Sequence, residues 1–367
     1  MHKNKGPVYY SDYLNLPKLL DCQNPLSRKY QSTEQPESHD EMLFIVVHQA
    51  FELWFKQILH ELNSIIDDFS APYLPDQKLG TINQRLKRII EIQSLLVPQL
   101  SILETMTPMD FLEFRDLLIP ASGFQSVQFR EIEIKMGLNT RERFNVDREF
   151  FTGRLTEKDK THIETAESTH SLFNLMEKWL ERLPLTNSSG FNFWEQYRTA
   201  VDKMLNQDEE TLKKNLASLG EREKQIQVLN LENTKKTFAS LFDEQAHQEL
   251  LNEKKRRLSQ PALLNALFIL LYRHEPYLTQ PFEILNNLMV IDENFTHWRY
   301  KHALLAQRML GTKIGTGGSS GHTYLKNAAD NNKIYLDLFN LSTYIIARSY
   351  LPTLPENVKA ALNFKKI

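Results

Sequence analysis

The sequence predicts an all-α protein, a large helical bundle carrying a polar helical elaboration, and three observations lead there. Apolar residues recur at alternating three- and four-residue spacing through several long runs. Strand-like alternation is nearly absent, and no internal repeat or low-complexity tract occurs. Only 12 glycines fall in 367 residues, several of them within Gly311–Gly321, which leaves the rest of the chain suited to long helices. A chain of this length can bury one large core or two coupled ones.

The elements follow in chain order. Residues 1–37 form a polar arm with several tyrosines. Ser38 followed by Glu41 has the spacing of a capping box, and a helix should run from there to about Phe69. Phe44, His48, Phe51 and Phe55 share one of its faces. After Pro72 and Pro75 a second long helix is expected over about 80–105, kinked by Pro98. Thr107 and Pro108 should cap and start a short helix carrying Phe111, Phe114 and Arg115. Ala121-Ser122-Gly123 reads as a turn, and a helix from Phe124 to Met136 should stop at Gly137.

Residues 138–258 are more polar, with helices expected at about 157–182, 192–218 and 221–254. Ser259 and Pro261 start an apolar helix, and Pro281 a long one ending near Leu310. On the latter, Leu288, Ile291, Phe295, Trp298, His302, Leu305 and Met309 form a stripe. A last helix is expected over about 331–348, before Pro352 and Pro355. The organisation is therefore an arm (1–37), a core of 38–137 with 259–350, a helical insertion (138–258) and a tail (351–367).

Composition narrows the function. A formal net charge of -2 gives no broad attraction to nucleic acid or anionic lipid. The longest apolar stretch, Pro261–Tyr272, contains Asn265 and is too short to cross a bilayer, and Met1–Tyr13 has no signal-peptide core. The single cysteine, Cys22, excludes an intrachain disulfide and a cysteine-rich metal site. A cytoplasmic protein with neither nucleic-acid nor membrane partners is the expectation.

Three side chains could carry chemistry. His48, among aromatics, is either a hydrogen-bonded core histidine or one facing a cofactor or aromatic substrate. His302, in an apolar stripe, is either a satisfied core group or an axial ligand of heme iron. His297 points away from it, and no two-histidine-one-carboxylate motif is visible locally. Arg115 is either an ion-pair partner or a two-bond clamp for a carboxylate. The residues alone leave each pair open. The glycine segment fails as a phosphate loop: His322 follows Gly321 where Lys-Ser/Thr is required, and Thr316 occupies the first glycine position. It suits a flap, in which Thr316 offers a hydroxyl.

Taken together, the segments resemble the tryptophan 2,3-dioxygenase family. His39-Asp-Glu-Met-Leu-Phe-Ile-Val-Val-His-Gln-Ala-Phe-Glu-Leu-Trp-Phe-Lys56 is similar to its distal helix. Phe111-Leu-Glu-Phe-Arg-Asp-Leu-Leu-Ile-Pro-Ala-Ser-Gly-Phe-Gln-Ser126 is similar to its substrate-clamp segment, and Trp298-Arg-Tyr-Lys-His302 to its heme-ligand segment. Ser240-Leu-Phe-Asp-Glu244, Gly315-Thr-Gly-Gly-Ser-Ser-Gly321 and Asp337-Leu-Phe-Asn-Leu-Ser-Thr343 also match, in family order.

The resemblance implies a heme pocket between the core helices, with heme b, active in the ferrous state, on His302. It implies that His48 accepts the indole N–H of L-tryptophan. Phe44 and Phe111 would hold the ring, within a pocket wall that also includes Ile45, Val46 and Val47. Arg115 would grip the carboxylate and Thr316 the ammonium group. Ser122 and Gly123 would lie where dioxygen reacts, and Tyr10 and Tyr13 would reach a neighbouring subunit of a homotetramer. The implied reaction opens the indole C2–C3 bond with O2 to give N-formyl-L-kynurenine, the first step of tryptophan catabolism by the kynurenine pathway. A related heme enzyme for another indole and a non-catalytic oxygen sensor stay open at this point. The chain departs from the family pattern at His322, where an aromatic is more familiar, and between Asp21 and Glu37.

Overall fold

The computed structural model describes residues 6–138, 153, 155–183, 187–188, 191–215, 219–313 and 321–361. The arm is not irregular throughout: it contains three single-turn helices, α1 (Tyr10–Tyr13), α2 (Leu16–Leu19) and α3 (Leu26–Lys29). α4 (His39–Ser70) follows as the spine of the core. Val47, Phe51, Phe55, Ile58, Leu62, Ile65 and Phe69 repeat every three or four residues along it and are buried.

The expected capping box does not form. Glu41 turns away from its own helix end and its carboxylate accepts the backbone N–H groups of Leu26 and Ser27, 2.8 Å each, while Ser27 Oγ accepts the Ser38 N–H. A buried carboxylate satisfied by two orphan donors of α3 outcompetes a local cap. The base of the arm is thereby fastened to α4.

α5 (Asp76–Leu103) starts four residues earlier than the sequence suggests and returns along α4 through a short loop. Arg88 on α5 pairs with the buried Glu61 of α4 at 2.8 Å. α4 is long and apolar enough to cross a membrane by length and composition. Its packing against α5 and this buried carboxylate identify it as a core helix instead.

Thr107 caps α6 (Pro108–Arg115) as expected, with Asp110 completing the box. A 3-10 turn at Gly123–Gln125 intervenes before α7 (Val127–Met136), which starts three residues later than predicted because Ser126, not the 121–123 turn, is its N-cap. Gly137 ends α7 at φ +122°, where an added Cβ would lie 2.5 Å from Phe173 Cβ.

In the polar region each expected long helix but one is divided. α8 (Glu157–Glu167) and α9 (Leu172–Glu181) are separated at Ser171, which caps α9. A two-residue antiparallel ladder, β1 (Asn187–Ser188) with β2 (Phe191–Asn192), precedes α10 (Phe193–Asn215). α11 (Glu221–Ser240) and α12 (Glu244–Asn252) are divided at Asp243, whose side chain accepts the Ala246 N–H. Local N-caps inside charged, weakly periodic runs account for both breaks. α9 does not stand apart: its apolar face joins the main core against α4 and α13 (Gln260–Leu271). Asn265 of α13 donates to Leu180 O at 2.7 Å.

α14 (Pro276–Leu310) begins at Pro276, so Pro281 is internal rather than the first residue. It packs chiefly on α5. Buried amides register the two helices. Asn83 Nδ2 donates to Gln280 O and Oε1, Asn287 Nδ2 to Asn83 Oδ1, and Gln93 Nε2 to Ile291 O, all within 2.8–3.1 Å. The expected last helix over 331–348 is replaced by α15 (Gly321–Asn331), α16 (Leu336–Asn340) and a 3-10 turn to Tyr344. Two buried carboxylates cause the break. Asp292 accepts the N–H groups of Ile334 and Tyr335, and Asp337 those of Arg257 and Leu258. α17 (Glu356–Ala361) follows where Pro355 was expected to end the ordered core.

Gly137→Ala should destabilise the protein by about 1–3 kcal/mol or more, since it adds both backbone strain and a clash with Phe173. Thr107→Ala should cost about 1 kcal/mol through the lost cap. Denaturant midpoints of the two variants against the parent check both values.

Candidate active site

Phe44 and His48 lie one turn apart on α4, with ring centroids 4.0 Å apart. His48 Nδ1 is 2.7 Å from the Phe44 carbonyl oxygen. A carbonyl only accepts, so Nδ1 carries the proton and Nε2 keeps its lone pair. Solvent reaches the ring, yet burial is the largest influence on it and holds its pKa below the ordinary histidine value. A ring both reachable and surrounded by protein lines a recess.

α6 supplies the next wall. Phe111 stacks on Phe44 at 5.9 Å, and Phe114 meets both rings edge-on. Arg115, one turn after Phe111, is only 15% exposed, and its 3.4 Å contact to Asp116 involves a carboxylate 83% exposed.

His302 approaches from α14. Its ring lies 5.2 Å from Trp298, which in turn meets Phe51, Phe55 and Phe129 of α4 and α7. Burial, and then the field of His48, push its pKa down to about 4. His302 thus lies within electrostatic reach of His48. His302 Nδ1 is buried and has no hydrogen-bond partner among the described residues. A neutral imidazole of this kind keeps a ring lone pair for an electrophile. No cluster of three or more His, Cys, Asp or Glu able to hold a metal stands together among the described residues. His302 therefore suits a metal whose other in-plane ligands arrive with it, as in a heme, and the residues fit that group.

The turn at Ser122 and Gly123 is followed by a tie to α4. Gln125 Oε1 accepts the Ser122 N–H at 3.0 Å, and Ser126 Oγ donates to Glu52 Oε1 at 2.6 Å. Glu52 also accepts from Gln128. A side chain at Gly123 would project into open space. Sequence reasoning missed Glu52. Its signal was available, since it sits one turn beyond His48 on the same face of α4.

Ile45 sits three residues before His48 on the same side of α4, whereas Val46 and Val47 point to other sides of the helix. Val47 is buried in the core and Val46 is exposed. Tyr10 and Tyr13 are exposed in their own chain. Thr316 lies outside the described residues. A groove of about 620 Å³ opens between α10 and α11, lined by Arg198, Asp202, Lys235, Phe238 and Phe242 among others. It contains none of the residues above.

The tryptophan 2,3-dioxygenase family model matches residues 1–345. A curated tryptophan 2,3-dioxygenase of Alteromonas mediterranea is 49% identical, covering 99% of each chain. That of Bdellovibrio bacteriovorus is 48% identical, covering 98% of each. The Dictyostelium discoideum enzyme of the same name is 46% identical, over 97% of this chain and 88% of its own. The chain belongs to the tryptophan 2,3-dioxygenase family.

Proposed function

We propose that this protein is a heme-dependent dioxygenase that cleaves the indole C2–C3 bond of L-tryptophan to give N-formyl-L-kynurenine. The observation that carries the reading is the pair His48 and His302, both with pKa values lowered by burial and the second also by the field of the first, beside an aromatic wall with a largely buried arginine at its edge. Both oxygen atoms of O2 enter the product, so no external reductant is consumed in the cycle.

His302 would hold heme b through its neutral imidazole, and the heme supplies the reactivity toward dioxygen. The chain's own residues bind and orient. His48 Nε2, left unprotonated by the Nδ1 bond to Phe44, accepts the indole N–H. Phe44 and Phe111 bracket the ring, and Ile45, Val46 and Val47 belong to the helix that forms this wall. Arg115 pairs with the carboxylate, and Thr316 takes the ammonium group. Ser122 and Gly123 give a wall without bulk on the side where dioxygen reacts. A decarboxylated indole would leave the Arg115 charge without its partner, which favours the amino acid over tryptamine.

The arm supports self-association. Val8, Tyr9, Tyr10, Tyr13 and Leu20 are exposed on a segment whose base is fastened to α4. We assign it to a homotetramer in which Tyr10 and Tyr13 reach a neighbour's site. The exposed thiol of Cys22 fits a reducing compartment such as the cytoplasm.

The direct test is anaerobic reduction of the heme-loaded protein, addition of L-tryptophan and then oxygen, with product absorbance followed in time. Formyl-kynurenine should appear, and oxygen binding without product would contradict the reading. His302→Ala should lose heme and activity together. Arg115→Ala should keep heme while KM for L-tryptophan rises about 10- to 100-fold, the loss of one or two charge-assisted bonds.

The pH dependence follows from His48. Its pKa is lowered from the usual 6.5, so the neutral acceptor form dominates at neutral pH. As pH falls through that lowered pKa, Nε2 gains a proton and opposes the indole N–H. kcat/KM should therefore fall on an acid limb below pH 6.5, and His48→Ala should remove that limb.

A further inference from the structure

α14 carries His302 close to the point where the helix leaves the packed core. Ala303 and Leu305 are buried, but Leu304 is 58% exposed and Gln307 and Arg308 face solvent. A ligand near such an exit needs its helix held on both sides. The N-terminal side is held three times. The buried Arg299 donates to Glu133 Oε1 at 2.8 Å and to Asn332 O at 3.1 Å. Tyr300 OH bonds Asp330 of α15. Lys301 reaches both carboxylate oxygens of Glu104 on α5, at 2.7 and 2.8 Å.

The C-terminal side is held by His322. His322, at the start of α15, places Nδ1 3.1 Å from the carbonyl oxygen of Ala303, the residue directly after His302. That oxygen only accepts, so Nδ1–H donates, using the second lone pair of a helical carbonyl. This bond ties α15 to α14 one residue beyond His302.

We propose that His322 is a positioning residue for the imidazole of His302. It fixes the helix just past the ligand, so that the ring keeps one orientation toward the group it binds. The proposal rests on the reading of His302 as the heme ligand. His322 touches neither substrate nor heme in this role and acts only through α14. The residue at 322 is then selected for a donor at the δ position, which a hydrocarbon aromatic could not supply.

The test compares heme-loaded parent, His322→Leu, His322→Asn and His302→Ala. Asparagine carries Nδ2 on the atom that bears Nδ1 in histidine, so it keeps the donor in place, whereas leucine removes it. His322→Leu should release heme to excess apomyoglobin about tenfold or more faster, as loss of an outer-shell partner commonly does. Its iron–histidine stretching band in the ferrous, substrate-free protein should shift or broaden. kcat should fall while KM for L-tryptophan stays within about twofold, because the substrate side is untouched. His322→Asn should restore heme retention and the band. If the leucine variant fails to fold, His322→Gln, whose donor sits one bond farther out, replaces it with the same expectation. A leucine or glutamine variant with the parent's heme-release rate and band would overturn the proposal, as would an asparagine variant no better than leucine. His302→Ala that holds heme like the parent would overturn the ligand reading itself, and the positioning role with it.

Discussion

The register of α14 on α5 is the constraint on which the site depends. Asn83, Gln93 and Asn287 are buried amides that satisfy one another or a backbone carbonyl across this interface. Sliding either helix by one residue would leave several of them unpaired, at about 1–3 kcal/mol each. Apolar packing alone is tolerant of such slips, whereas a directional amide ladder is not. Asn294, the last residue of the ladder, lies about 12 Å along the helix from His302. The rotation set by the ladder therefore carries directly to the direction of the imidazole.

The same helices bring together groups that are remote in sequence. α4 is clamped to α5 by Glu61 and Arg88, so His48 inherits the frame that fixes His302. An aromatic chain runs from Phe51 and Phe55 of α4 through Trp298 to His302. What stays open is the recess walled by Phe44 and Phe111. Burial lowers the pKa of both histidines, and at His302 the field of His48 lowers it further. The site is thus held in the form that can ligate on one side and accept a hydrogen bond on the other.

Much of this was legible before any coordinates. The periodic stripes of α4, α5 and α14, the Thr107 cap and the Gly137 stop depend on local chemistry, and they form as read. Local N-caps at Ser126, Ser171 and Asp243 account for some departures, and long-range polar contacts for others. Glu41 was expected to serve its own helix and instead serves α3. Asp292 and Asp337, far apart in sequence from the backbone they bind, convert an expected helix over 331–348 into shorter elements. Asp337 and Asp243 also explain why two of the matching family blocks contain no recess residue: one carboxylate braces residues 257–258 and the other caps α12. The grouping of His48, Arg115 and His302 came from motif resemblance, since nothing in spacing alone brings α4, α6 and α14 to one recess.

The central claim is that one slot holds iron through His302 and an indole N–H at His48. The most direct measurement is a structure of the heme-loaded protein with L-tryptophan. The account predicts iron bound by a ring nitrogen of His302, the indole nitrogen within hydrogen-bond distance of His48 Nε2, and the carboxylate at Arg115. Iron held by any other side chain, or an indole nitrogen turned away from His48, would contradict it.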